Sequence, residues 1–201
     1  MERKLVYNLY IIKESRDSVI NVKSEIKPLK KVLVHRPGKE LLNLTPDTLE
    51  RLLFDDIPYL PVAREEHDQF ARILRDNGVE VVYLEDLMTE VLDLNPDLRE
   101  TFIKQFIYEA GVRTPKYRTL VYEFLMGIEN NRKLVLKTME GINIKEIVTE
   151  KAKKGKSLVD MIEPDSQFLT DPMPNLYFTR DNFASIGNGI SLNKMYSVTR
   201  N

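Results

Sequence analysis

Apolar positions along this chain follow two different periods. Lys30-Lys31-Val32-Leu33-Val34-His35 is a short apolar run closed by Arg36-Pro37-Gly38, which predicts a buried strand ending in a turn. Thr45-Pro46-Asp47 predicts a helix start, with Thr45 as N-cap and Pro46 at the first helical position. That helix carries Leu49, Leu52 and Leu53 and stops before Pro58. A second helix is expected from about Val62 to Asn77, with Phe70, Ile73 and Leu74 as its apolar stripe and Gly78 just past its end. Val79 to Leu84 is rich in β-branched residues and predicts another strand. Strand, helix, helix, strand in this order predicts an α/β unit.

The period then changes. From Leu87 to about Ile147 the pattern is helical, with Asn95-Pro96 and Pro115 as starts and Gly111, Gly127 and Gly141 as breaks. This predicts a small helical subdomain inserted into the α/β part. Glu150 to Lys156 is a basic connector, expected to be a solvated linker. From Phe168 the pattern returns to β. Phe183–Ile186 and Ile190–Leu192 flank Gly187-Asn188-Gly189, a hairpin signal. The expected division is residues 1–20 as an extension, 21–86 as a first α/β segment, 87–150 as the helical insertion, and 151–201 as linker and hairpin.

Composition adds exclusions. The chain has 201 residues, 42% hydrophobic and 30% charged, ordinary for a globular domain. A net charge of -1 gives no global case for nucleic acid or an acidic membrane. With Cys 0 there is no disulfide framework, which is compatible with a cytoplasmic location. No apolar run approaches the roughly 18 residues of a membrane span. The amino-terminal stretch is interrupted by Asn8 and lacks a small-residue cleavage site, so it does not read as a signal peptide.

The chemistry concentrates in Asp171-Pro-Met-Pro-Asn-Leu-Tyr-Phe-Thr-Arg-Asp181. Its prolines predict an extended, irregular segment that becomes strand-like beyond them. Asn175, Phe178 and Asp181 are spaced by three, so they share a face only if the backbone bends. An amide, an aromatic face and a carboxylate together suit a flat cation with polar ends. The carboxylate accepts paired N–H bonds from a guanidinium, and the ring face adds about 0.5–2 kcal/mol.

Pro174-Asn175-Leu176-Tyr177-Phe178-Thr179-Arg180-Asp181 resembles the signature of the arginine deiminases, which convert arginine to citrulline and ammonia. Gly189-Ile190-Ser191-Leu192-Asn193-Lys194-Met195-Tyr196 and Arg200 continue the match. His35-Arg36-Pro37-Gly38-Lys39-Glu40-Leu41 and Leu52-Leu53-Phe54-Asp55-Asp56 extend it upstream. The resemblance runs from about Asn21 to the end. It implies a partial β/α propeller of the guanidino-modifying type with an inserted helical subdomain. It also implies that Asp181 holds the guanidinium and shuttles protons, and that Phe178 lies over its plane. By the same resemblance Asn175 and Arg200 bind the amino-acid end, and Leu53 lines the site. On pattern alone Asp181 could equally pair with Arg180, Phe178 could be core, and Leu53 could belong to a helix stripe.

No cofactor or metal is expected; Glu65-Glu66-His67-Asp68 lacks the His-Glu-x-x-His spacing and predicts a solvated helix face. His35 is expected to be structural, in a turn. The family's cysteine, catalytic histidine and second guanidinium-binding carboxylate have no counterpart in the sequence. The expectation is therefore the amino-terminal part of an arginine deiminase, truncated or split, acting on L-arginine with a complementary carboxyl-terminal polypeptide or by self-association. The alternative is a non-catalytic arginine-binding or regulatory module. A related activity on another guanidino compound is a third option; Arg200 argues there for a substrate with an α-carboxylate.

Overall fold

A computed structural model describes residues 20–147 and 168–193. The apolar run at its start forms β1 (Lys31–Val34), which pairs in parallel with β2 (Glu80–Tyr83) from Lys31 opposite Glu80 to Val34 opposite Tyr83. A Lys31–Glu80 ion pair of 2.9 Å flanks the first rung. Parallel strands need a crossover. Here it is made of two 3-10 turns (Lys39–Asn43 and Pro46–Thr48), the short α1 (Leu49–Leu52) and the long α2 (Leu60–Asp76). Thr45 caps the second of these turns with Pro46 at its start, as expected, and the Thr45 N–H donates to the Thr48 hydroxyl at 2.9 Å. Its helix is shorter than expected, because Leu53 turns left-handed (φ 62, ψ 42) and ends α1 there.

The face of α2 differs from the expected one. Ala71 is fully buried, whereas Phe70 and Ile73 are 53% and 59% exposed. With about 100° between successive residues, Phe70 and Ile73 point well away from Ala71, and Leu74 lies back toward its side. Leu60, also buried, lies on the same side as Ala71, which leaves Phe70 and Ile73 on the outer sides. Gly78 follows the helix in the left-handed region, at φ +76.

Helices α3 (Leu84–Leu94), α4 (Leu98–Glu109), α5 (Pro115–Met126) and α6 (Asn131–Glu140) surround one apolar cluster. Leu92, Ile103, Val121, Leu125 and Leu134 are wholly buried in it, each worth about 1.5–3 kcal/mol. A smaller cluster of Leu41, Leu44, Leu52 and Leu60 lies under the crossover. The Asn43 side chain donates to the Glu140 carbonyl at 2.8 Å and ties the end of α6 to the crossover.

After α6, β3 (Ile142–Asn143) pairs antiparallel with β4 (Phe168–Thr170). The hairpin β5 (Phe183–Ile186) and β6 (Gly189–Leu192) forms where the glycine-rich turn predicts it, with Ile186 opposite Gly189. Gly187 takes φ +57, and its backbone exchanges two 2.8 Å hydrogen bonds with Val22. Among the described residues the sheets are three two-stranded pairs, none of them closed. No helix among these residues is long and apolar enough to cross a membrane. The basic connector at 150–156 lies outside the described residues.

Candidate functional site

The segment carrying the expected chemistry is not strand-like. Pro174–Tyr177 is a 3-10 turn with proline at its start, and Thr179–Asn182 is a single helical turn. Proline's fixed φ suits the first position of such a turn and needs no donor there. The two turns bend the segment at Phe178, which lies between them with φ -84 and ψ 64. The Thr179 hydroxyl donates to the Leu33 carbonyl at 3.1 Å and anchors the segment on β1.

Asn175 is buried, and its side-chain N–H donates to the Leu52 carbonyl at 2.7 Å. That bond places it beside Leu53, which is 48% exposed. Phe54 packs edge-on against Tyr177 at 6.2 Å, and the Tyr177 and Phe178 rings lie 4.3 Å apart, tilted by 42°. Phe178 keeps 43% of its surface exposed. Arg51 and Asp171 form an ion pair. These contacts bring the Leu52–Phe54 stretch against Asn175 and Tyr177, with Phe178 next in sequence. Asp181 follows one turn later and is exposed, its carbonyl accepting from the Asn193 side chain at 3.2 Å. The neighbouring Arg180 pairs with Glu25 at 3.0 Å. Arg200 lies outside the described residues.

Sequence reasoning missed a buried charge cluster just past the β1 carboxyl end. His35 is 1% exposed. Its Nδ1 lies 2.9 Å from Glu85 Oε2 and its Nε2 3.0 Å from Glu40 Oε1. Both glutamates are also buried, and the Gly38 N–H donates to Glu40 as well. Burial alone would lower the His35 pKa, but hydrogen bonds to Glu40 and Glu85 outweigh it and raise it from 6.5 to about 9. Burial likewise pushes the Glu85 carboxyl up, and the His35 bond more than reverses this, leaving it below its ordinary value. The signal in sequence was a histidine ending an apolar strand, with a glutamate five residues on; Glu85 comes into reach only through the pairing of β1 with β2.

His67 is half-buried rather than solvated. Its ring lies 5.9 Å from Tyr83 and 6.4 Å from Phe70, and burial lowers its pKa. Among the described residues no group of three or more His, Cys, Asp or Glu is arranged to hold a metal ion. An open groove of about 570 Å³ runs along α2 between Arg36, Arg64, Asp68 and Arg72. Arg36 already grips Asp68 there through two 2.7 Å bonds, and none of Leu53, Asn175, Phe178 and Asp181 lines it.

A family model described as arginine deiminase matches residues 50–201. The chain is 58% identical over 183 residues to an arginine deiminase of Treponema denticola, covering 91% of this chain and 44% of that protein. It is 56% identical over 182 residues to an arginine deiminase of Streptococcus sanguinis, and 54% identical over 182 residues to one of Streptococcus pyogenes. In both cases 90% of this chain and 44% of the relative are covered. The chain thus spans less than half the length of the curated relatives it matches.

Proposed function

The chain belongs to the arginine deiminase family, and from that premise we propose that it supplies part of the site at which L-arginine and water become L-citrulline and ammonia. Asp181 receives the guanidinium through paired N–H bonds and passes protons during its breakdown. Phe178 covers the plane of the cation. Asn175 and Arg200 take the amino-acid end, the planar Arg200 fork suiting the α-carboxylate. Leu53 lines the same space. The observation that carries this reading is the 2.7 Å bond from Asn175 to the Leu52 carbonyl, which joins positions 123 residues apart and brings Leu53 to the motif.

Covalent deimination needs a thiolate to attack the guanidinium carbon and an acid/base to serve the departing ammonia. The sequence contains no cysteine. The proposal assigns those groups to polypeptide beyond these residues, continuous with them or supplied as a complementary carboxyl-terminal chain. On this reading β1, β2 and the β5–β6 hairpin are opening segments of a β/α propeller, and 87–150 is an inserted helical subdomain.

The test is complementation. The chain is co-expressed with the part of the Treponema denticola relative that it does not cover, and citrulline is measured. Citrulline is expected from the pair and not from the chain alone. Asp181→Ala should lower turnover by at least about 100-fold, the lower range for a lost acid/base group. Undiminished turnover in that variant removes Asp181 from the site. If the folded pair binds arginine and makes no citrulline, the catalytic reading fails and a binding module remains.

A further inference from the structure

We propose that Arg51 and Asp171 are positioning residues, forming a clasp that presents Leu53 and Phe178 to the substrate; the substrate part of this rests on the arginine-site reading above. Among the described residues, Leu53 is the single non-glycine with a positive φ. A leucine rarely adopts this conformation, because its Cβ crowds the following carbonyl, so the surrounding structure must impose it. Local bonds close the turn, from the Leu53 N–H to the Glu50 carbonyl at 3.2 Å and from the Phe54 N–H to the Leu49 carbonyl at 3.0 Å.

The residues flanking Leu53 are each tied to the motif segment. Arg51 pairs with Asp171, the Leu52 carbonyl accepts from Asn175, and Phe54 meets Tyr177 edge-on. Leu53 sits between these contacts and keeps 48% of its surface exposed. Through Tyr177 the same set of contacts reaches Phe178.

The motif side of the clasp has its own backing. The Met173 N–H donates to the Met139 carbonyl at 2.9 Å. Gly141 packs so closely that a Cβ there would stand 2.7 Å from Pro172 N and 2.9 Å from the Thr170 carbonyl. Asp171 is thus held against the end of α6, and Arg51 is drawn to it. Neither side chain needs to touch the substrate, because both act by fixing the turn that carries Leu53.

Amide hydrogen exchange followed by NMR on the whole chain tests this. In Asp171→Asn and in Arg51→Gln, exchange at the Leu53 and Phe54 amides should rise about two- to five-fold, the range for losing a partly exposed ion pair. Exchange at Ile103 and Leu134, inside the helical cluster, should not change. The reciprocal pair Arg51→Asp with Asp171→Arg should bring Leu53 and Phe54 back toward the original rates. Unchanged rates at Leu53 and Phe54 in both single variants would overturn the clasp. So would an equal rise at Ile103 and Leu134, or no recovery in the reciprocal pair. L-arginine is then added to each chain paired with the part of the Treponema denticola relative that it does not cover. Slower exchange at Leu53 in the unaltered chain, reduced in Asp171→Asn, is expected. If L-arginine protects no chain, the arginine-site reading fails, while the comparison without arginine still decides the clasp.

Discussion

His35→Gln is the most informative single change. The imidazole has a carboxylate within 3.0 Å of each ring nitrogen. A neutral ring carries one N–H and can satisfy one of them, so the arrangement favours the doubly protonated cation. The rise in pKa from 6.5 to about 9 corresponds to about 3 kcal/mol of folding free energy. The folded value lies above the unfolded one, so this contribution is fully present below about pH 6.5 and is lost as pH rises through about 9. The lowered pKa of Glu85 reports the same contact from the carboxylate side and is not additional. Glutamine removes the cation and leaves two buried carboxylates, a loss of about 3 kcal/mol at pH 7, within the 3–5 kcal/mol range seen when one member of a buried pair is removed. Urea unfolding followed by far-ultraviolet circular dichroism, for both proteins between about pH 6 and pH 10, measures the difference. It should be largest below about pH 6.5, fall as pH rises from there, and be lost once pH passes about 9. A difference under about 1 kcal/mol at pH 7, or one that does not vary with pH, would refute the charged cluster.

Three further changes probe the frame around the motif, each read as a shift in the urea midpoint. Gly141→Ala places a Cβ against backbone atoms at φ +83 and should cost about 2–3 kcal/mol. Leu134→Ala opens a hole at a fully buried position of the helical cluster and should cost about 2–5 kcal/mol. Ile73→Ser, on the outward side of α2, should change stability by no more than about 0.5 kcal/mol; a loss near that of Leu134→Ala would mean that this side of the helix is covered.

Much of the element order was legible from local chemistry. Proline at the start of α5, glycines after α2 and α4, and the Gly187-Asn188 turn act within a few residues, so their effects survive any tertiary context. The β1–β2 pair follows from two apolar runs separated by a helical crossover. The inward side of α2 was not legible. A 3.6-residue period accommodates Phe70 and Ile73 as readily as Leu60 and Ala71, and the tertiary structure buries the side that carries Leu60 and Ala71. The prolines of the motif segment read as extended, whereas its contacts with Leu52 and Leu33 hold it as helical turns. The motif itself, from Asn175 to Asp181, was visible in sequence because it is contiguous.

By itself, then, the sequence determined the family, most of the order of strands and helices, and which residue types stand at the motif, since each of these is written in neighbouring residues. Tertiary structure alone decided what meets across long separations. It put Leu53 beside Asn175, Arg51 beside Asp171, and the buried His35 between Glu40 and Glu85. The physical reason is that a hydrogen bond or ion pair between distant positions depends on strand register and helix packing, and no local propensity encodes either.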